Sequence, residues 1–134
     1  MLFKGLEVAV TGMEAQRVRI DISSSNLSNV NSTKAENGEP YRRKVPIFEA
    51  VLDKETNLTK VRVKDIVKDP SPFKMKFDPN HPDADQNGYV KLPNVDPLKE
   101  MVDMMSAIRS YETNLTAFNT HKDMLLKTLE ILKV

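Results

Sequence analysis

Hydrophobic residues in the last third of the chain recur at alternating spacings of three and four. One row runs through Met101, Ile108, Leu115, Lys122 and Leu129, and a second through Met104, Tyr111, Phe118, Leu125 and Leu132. Nine of these ten positions are apolar, and Lys122 can lay its methylene stem along the row. Such spacing holds apolar side chains on one narrow helical face, the pattern of a coiled-coil seam. Asp96 followed by Pro97 supplies an N-cap and a proline at the first helical position. The pattern predicts a helix over about 97–132, roughly 50 Å long at 1.5 Å per residue.

The first thirty residues carry a weaker version of the same pattern. Leu6, Met13, Ile20 and Leu27 form one row; its companion, Phe3, Val10, Arg17 and Ser24, is apolar only in its first half. Gly5 and Gly12 each disfavour a helix by about 1 kcal/mol relative to alanine. The helix is expected to stop between Ser28 and Thr33, where serines and asparagines compete for backbone groups. Val8, Val18 and Val30 here, and Val102, Met105 and Leu126 in the C-terminal segment, lie off the stripes. A single helical hairpin leaves them exposed, which calls for further partners.

All eight prolines lie between Pro40 and Pro97, and residues 98–134 contain neither proline nor glycine. Proline fixes φ and removes a backbone donor, so the punctuation separates two helical ends from a non-helical middle. Short strand-like runs fill that middle: Lys44–Leu52, Leu58–Val67 with Val61 and Val63 alternating before Ile66, Phe73–Phe77, and Gly88–Leu92. Asp53–Asn57 reads as a hairpin turn. The expected organisation is an N-terminal helix (1–33), a small β-rich region (34–96) and a C-terminal helix (97–134). The fold class is α+β, with the two long helices forming an antiparallel, coiled-coil-like pair.

Composition narrows the function more than the fold. The 134 residues suit one domain, and a net charge of +1 from interspersed acidic and basic residues supplies no basic face for nucleic acid. With no cysteine, disulfides and thiolate chemistry are excluded. No run approaches the ~18 apolar residues of a membrane span. Residues 1–10 carry Lys4 and Glu7 within their apolar run, so no cleavable signal peptide is expected.

Candidate chemistry is sparse. Asp83, Asp85, Asn87 and Gly88 match positions 1, 3, 5 and 6 of an EF-hand loop. Position 12 is Asn94 instead of glutamate, and Pro79 and Pro82 preclude the preceding helix. A polar turn is the better account. His81 and His121 lie far apart in sequence without i, i+4 partners. Neither a nucleophile elbow nor a glycine-rich phosphate loop is present. The sequons at Asn26, Asn31, Asn57 and Asn114 read as chance. No catalytic residue, metal site, cofactor or small-molecule substrate is expected. The seven methionines suit adaptable packing surfaces.

The segments Gly12-Met13-Glu14-Ala15-Gln16-Arg17 and Ser25-Asn26-Leu27-Ser28-Asn29-Val30-Asn31-Ser32-Thr33 resemble the N-terminal signature of the bacterial flagellar rod and hook proteins. Pro40-Tyr41-Arg42-Arg43 resembles the turn that follows it. The motifs Asp69-Pro70-Ser71-Pro72-Phe73, Asp78 through Val90, and Pro93-Asn94-Val95 resemble the proximal-rod members of that family. Glu100 through Met105 and Arg109 through Asn114 continue the likeness. It implies a structural subunit of the flagellar basal body, in the rod spanning the periplasm, exported through the flagellar type III apparatus without a cleaved signal. Its partners would be copies of itself and other rod subunits, with no nucleic acid. The resemblance also implies terminal segments that order only on assembly into the drive shaft.

The expected assembly interface lies on the stripes. On the N-terminal helix it comprises Leu6, Val10, Met13, Ile20, Asn26, Leu27 and Asn29. On the C-terminal helix it comprises Met101, Met104, Ile108, Tyr111, Leu115, Phe118, Leu125 and Leu129. The rival reading is an intracellular adaptor, a helical hairpin that binds a single partner helix.

Overall fold

The computed structural model describes residues 2–133; the outermost positions of the expected terminal segments, Met1 and Val134, lie outside the described residues. Its elements follow in the order α1 (Leu2–Ser28), a 3-10 turn (Glu36–Gly38), β1 (Lys44–Asp53), β2 (Leu58–Lys68), β3 (Lys74–Phe77), β4 (Tyr89–Leu92) and α2 (Pro97–Leu132). The α+β architecture matches the one expected, and α2 has the predicted limits. Asp96 caps it by accepting the Leu98 N–H at 3.1 Å. α1 ends where the serine and asparagine run begins to take backbone partners. Ser28 Oγ donates to the Ser24 carbonyl (2.9 Å), and Asn29 Nδ2 donates to the Ser25 carbonyl (2.8 Å). These side-chain donors add to the backbone bonds of the last turn, where Asn29 N–H also reaches the Ser25 carbonyl at 3.2 Å, and compete with its continuation.

The helices pack antiparallel, each seven-residue step up α1 matched by seven down α2. A Cβ at Gly5 would lie 2.9 Å from Cε1 of His121, and one at Gly12 would lie 2.8 Å from Nδ2 of Asn114. Two steps beyond Gly12, Asn26 meets Glu100. Both N-terminal glycines are therefore sockets, each roofed by a polar side chain of α2. Ala9 and Ala15 on α1 and Ala107 on α2 are buried as well. This differs from the predicted packing in one respect. The α2 row against α1 is Glu100, Ala107, Asn114 and His121, one residue before the row Met101, Ile108, Leu115, Lys122 and Leu129. Helices that touch through glycine and alanine approach closely, and bulky side chains cannot sit between them. The heavy apolar residues are displaced to the flanks.

The register also leaves α2 longer than its partner. Leu2 stands level with about residue 124, so the last turns of α2 run on past the start of α1, with Leu126, Leu129, Ile131 and Leu132 exposed.

β1 and β2 form an antiparallel hairpin, with Lys44 opposite Lys68 and Asp53 opposite Leu58. Its turn is held by Asp53 Oδ1, which accepts N–H groups from Glu55 and Thr56, and Asn57 takes the left-handed φ of 58°. The pairing slips between Ile47 and Phe48, leaving Lys64 without an opposite residue, a β-bulge. α1 lies against β2 as well as α2: Thr11 Oγ1 accepts the Val61 N–H (3.4 Å), and Lys60 Nζ pairs with Glu7 (3.1 Å). β3 and β4 form a second hairpin, with Phe77 and Tyr89 in edge-to-face contact at 5.3 Å.

Replacing Gly12 by leucine should lower stability by about 1–3 kcal/mol or more, because overpacking a close seam forces backbone shifts. Urea denaturation followed by circular dichroism measures it. Adding Asn114→Ala should recover part of the loss, since it vacates the colliding atoms.

Candidate assembly interface

Two features could serve as a site: a buried polar knot joining the elements, and the apolar faces left uncovered by the seam. The knot centres on Asn26, which is 1% exposed. Its Nδ2 donates to the Lys44 carbonyl (2.9 Å) and to Glu100 Oε2 (3.2 Å). Its Oδ1 accepts the Lys44 N–H (3.0 Å) and the Tyr41 hydroxyl (2.8 Å). A carboxamide has two donors and two lone pairs, so every valence is used. With Lys44 the side chain behaves as a short extra strand, bonding both backbone groups of one residue.

Glu100, also 1% exposed, carries the knot onward. Its Oε1 accepts from Arg43 Nε, and the Arg43 guanidinium also reaches Asp69 (3.3 Å) and Asp103 (3.4 Å). Arg19 stands 4.0 Å from Asp103. Burial works against the Arg43 charge, but hydrogen bonds and attraction from Glu100 and Asp69 outweigh it, and its pKa rises. Asn94 completes the ring: Oδ1 accepts the Arg43 N–H (2.7 Å), and Nδ2 donates to the carbonyls of Asp69 and Ser71. Arg42 donates to the same two carbonyls and stacks on Phe73 at 4.2 Å. α1, both hairpins' inner ends and the start of α2 are thus tied at one place. Nothing here points to catalysis, because the groups satisfy one another. Among the described residues no cluster of His, Asp or Glu could hold a metal ion. The partial EF-hand match is a turn whose Asp85 Oδ1 accepts the N–H groups of Asn87 and Tyr89.

The expected interface residues separate into three groups. Asn26 and Asn29 face inward, Asn26 into the knot and Asn29 onto the end of its own helix. Leu6, Val10, Met13, Ile20 and Leu27 on α1, and Met104, Tyr111, Phe118 and Leu125 on α2, are half-buried along the seam's flanks. Met101, Ile108, Leu115 and Leu129 are exposed, the middle two at 40%. With Leu98, Val102 and Met105 they extend an apolar surface along the outer side of α2. Tyr41, Arg43, Asp69 and Glu100 stand in the sequence only within the motifs that carry the family resemblance, and patterning assigns them no role in a site. The available signal is a carboxylate in the first turn of a capped helix, one residue before an apolar row.

Truncating Asn26 to alanine leaves the Glu100 carboxylate and the Lys44 backbone short of partners and should cost about 1–3 kcal/mol. A double-mutant cycle with Glu100→Gln should give a coupling energy of about 0.5–3 kcal/mol in denaturant titrations. The knot also predicts an acid limb. The Ser71 hydroxyl and N–H, then Arg43, hold the Asp69 carboxyl below its ordinary value of 3.8. Thr33 and then Lys34 do the same for Asp83. A depressed carboxylate stabilises the fold fully above its unfolded pKa, and that contribution is lost as pH falls through the folded value. The thermal midpoint should therefore fall below about pH 4, and less steeply in Asp69→Asn.

Two family models match the ends of the chain: "Flagella basal body rod protein" over residues 6–34, and "Flagellar basal body rod FlgEFG protein C-terminal" over residues 86–131. The chain is similar over nearly its whole length to proteins named flagellar basal-body rod protein FlgC. It is 46% identical to that of Aquifex aeolicus, covering 98% of each chain. It is 46% identical to that of Bacillus subtilis, covering 96% of this chain and 97% of the relative. For Salmonella typhimurium the identity is 40%, over 93% of each.

Proposed function

Because the chain belongs to the FlgC family of flagellar basal-body rod proteins, we propose that the outward faces of its two long helices are the surfaces on which neighbouring rod subunits dock. As a member of that family it is a structural subunit of the flagellar basal-body rod. The observation that carries the docking assignment is surface area. A compact monomer of 15.2 kDa exposes about 7,100 Å² by the usual scaling with mass, whereas this chain exposes 9433 Å². The surplus of roughly 2,300 Å² falls in the range of obligate interfaces, about 2,000–5,000 Å². Much of it is apolar: Val102, Met105, Leu126, Ile131 and Leu132 are all more than half exposed. Methionine-rich surfaces of this kind repack against differently shaped neighbours.

The partners are further copies of this chain and other rod subunits, arranged helically, because the surfaces lie along α2 and beyond the start of α1 and cannot all be closed by one twofold contact. Delivery by the flagellar type III apparatus, with α1 kept intact, belongs to the same reading. α1 is built into the seam from Gly5 onward, so cleavage within it would remove the packing beneath His121.

Met105→Asp tests the assignment. Met105 is 62% exposed, so the folded subunit should keep its stability to within about 0.5 kcal/mol. Cells carrying the variant should lose swimming, and isolated basal bodies should lack the subunit, which in the wild type should be recovered at full mass. Normal motility, or a discrete one-to-one complex in place of a polymer, would favour the adaptor reading.

A further inference from the structure

Two Asn-Gly pairs occur in the chain, Asn37-Gly38 and Asn87-Gly88. Asparagine followed by glycine is open to a reaction that needs no enzyme. The Gly N attacks the side-chain Cγ and gives up its proton, and the Cγ–Nδ2 bond breaks, releasing ammonia and leaving a five-membered succinimide. Water then opens the ring at either carbonyl. Opening at Cγ gives aspartate; opening at the backbone carbon leaves the chain running through the side chain as isoaspartate. The net change is NH2 to OH, with water as the only co-reactant. What decides the rate in a folded protein is whether the Gly N–H and the side chain are free to meet.

The two pairs differ in that respect. Gly88 is buried: a Cβ there would lie 2.9 Å from Phe77 and 3.2 Å from Pro79. Its N–H donates to the Asp85 carbonyl at 3.0 Å, and its carbonyl accepts the Asp78 N–H at 2.9 Å. The Asn87 N–H is held by Asp85 Oδ1 at 2.9 Å. Ring closure at 87 therefore requires the β3–β4 hairpin to open. Asn37 is exposed, in the left-handed region at φ 66° and ψ 14°, followed by Gly38 at φ 72°. Nothing lies within 4 Å of a Cβ position at Gly38. Among the described residues the Gly38 N–H has one partner, the Ala35 carbonyl at 3.3 Å, beyond the usual range for such a bond.

We propose that Asn37 is a site of spontaneous deamidation in the folded subunit and that Asn87 is protected by its hairpin. The product is accommodated electrostatically. Asn37 lines a cavity of about 410 Å³ together with Arg42, Lys44 and Lys68, against one carboxylate among the described side chains, Glu39. A new carboxylate at 37 meets a wall with an excess of positive charge. Isoaspartate adds one backbone atom in a turn whose backbone bonds, Gly38 N–H to Ala35 and Ala35 N–H to Glu39, are local, so the helices need not shift to absorb it.

The experiment incubates the purified full chain at 37 °C and mildly alkaline pH, and follows peptides containing residues 37 and 87 by tandem mass spectrometry. The residue 37 peptide should gain about 1 Da and split into aspartate and isoaspartate forms. Its rate should exceed that at 87 by about tenfold or more, equivalent to about 1.4 kcal/mol of extra opening free energy at the hairpin. In concentrated urea the two rates should converge, because the flanking structure is gone. Asn37→Gln should abolish the early mass gain. Equal rates in the native protein, a ratio unchanged by urea, or a gain that persists in Asn37→Gln would each overturn the proposal.

Discussion

The carboxamide of Asn26 has four hydrogen-bonding valences, and the fold is arranged so that three residues from two other segments, 41–44 and the start of α2, fill them. Lys44 supplies a backbone donor and acceptor, Tyr41 a hydroxyl, and Glu100 a carboxylate oxygen. An unpaired amide or carboxylate buried this deeply is strongly unfavourable, so none of these residues can move without exposing or orphaning another. The knot therefore sets the rotation of α1 about its own axis, the entry point of β1 and the register of α2 at once. A register set at Asn26 and Glu100 is propagated by heptad steps to Gly12 and Asn114 and to Gly5 and His121 at the far end.

That register has a consequence for surface chemistry. A seam lined by glycine, alanine, asparagine and histidine brings the helix backbones together and leaves the large apolar side chains at its flanks or outside. Most monomeric helical hairpins do the reverse, burying leucine and isoleucine between helices. Here the fully buried apolar set is small and rich in alanine, while many large apolar side chains of α2 remain exposed. A rod subunit benefits from this division. Polar contacts and close packing specify the shape of one chain, and the apolar area is held back for neighbours.

The hairpins illustrate how far local pattern reaches. The alternation of Val61 and Val63 slips by one before Ile66, and the structure puts its bulge at Lys64, inside that slip. The Asp53–Asn57 turn, the cap at Asp96 and the arrest of α1 after Ser28 were likewise legible, since each depends on side chains a few residues from the backbone they bond. The Arg43 cluster was not legible. Its members Arg19, Arg43, Asp69, Glu100 and Asp103 come from four separate stretches, and each by itself reads as an ordinary surface charge.

The amino-acid order by itself determined the kind and approximate limits of the two long helices and the four strands, and the antiparallel pairing of the helices. These follow from periodicity, capping and proline placement, all of which act within a turn or two of the chain. Tertiary structure decided which helical row faces inward. Periodicity marked Met101, Ile108, Leu115 and Leu129 as a seam, and the packing turned them outward in favour of Glu100, Ala107, Asn114 and His121. The physical reason is that a stripe records only that a face is apolar. Whether that face meets its own chain or another is settled by what the opposing helix can accommodate, and glycines at 5 and 12 accommodate a close polar contact that no apolar row can make.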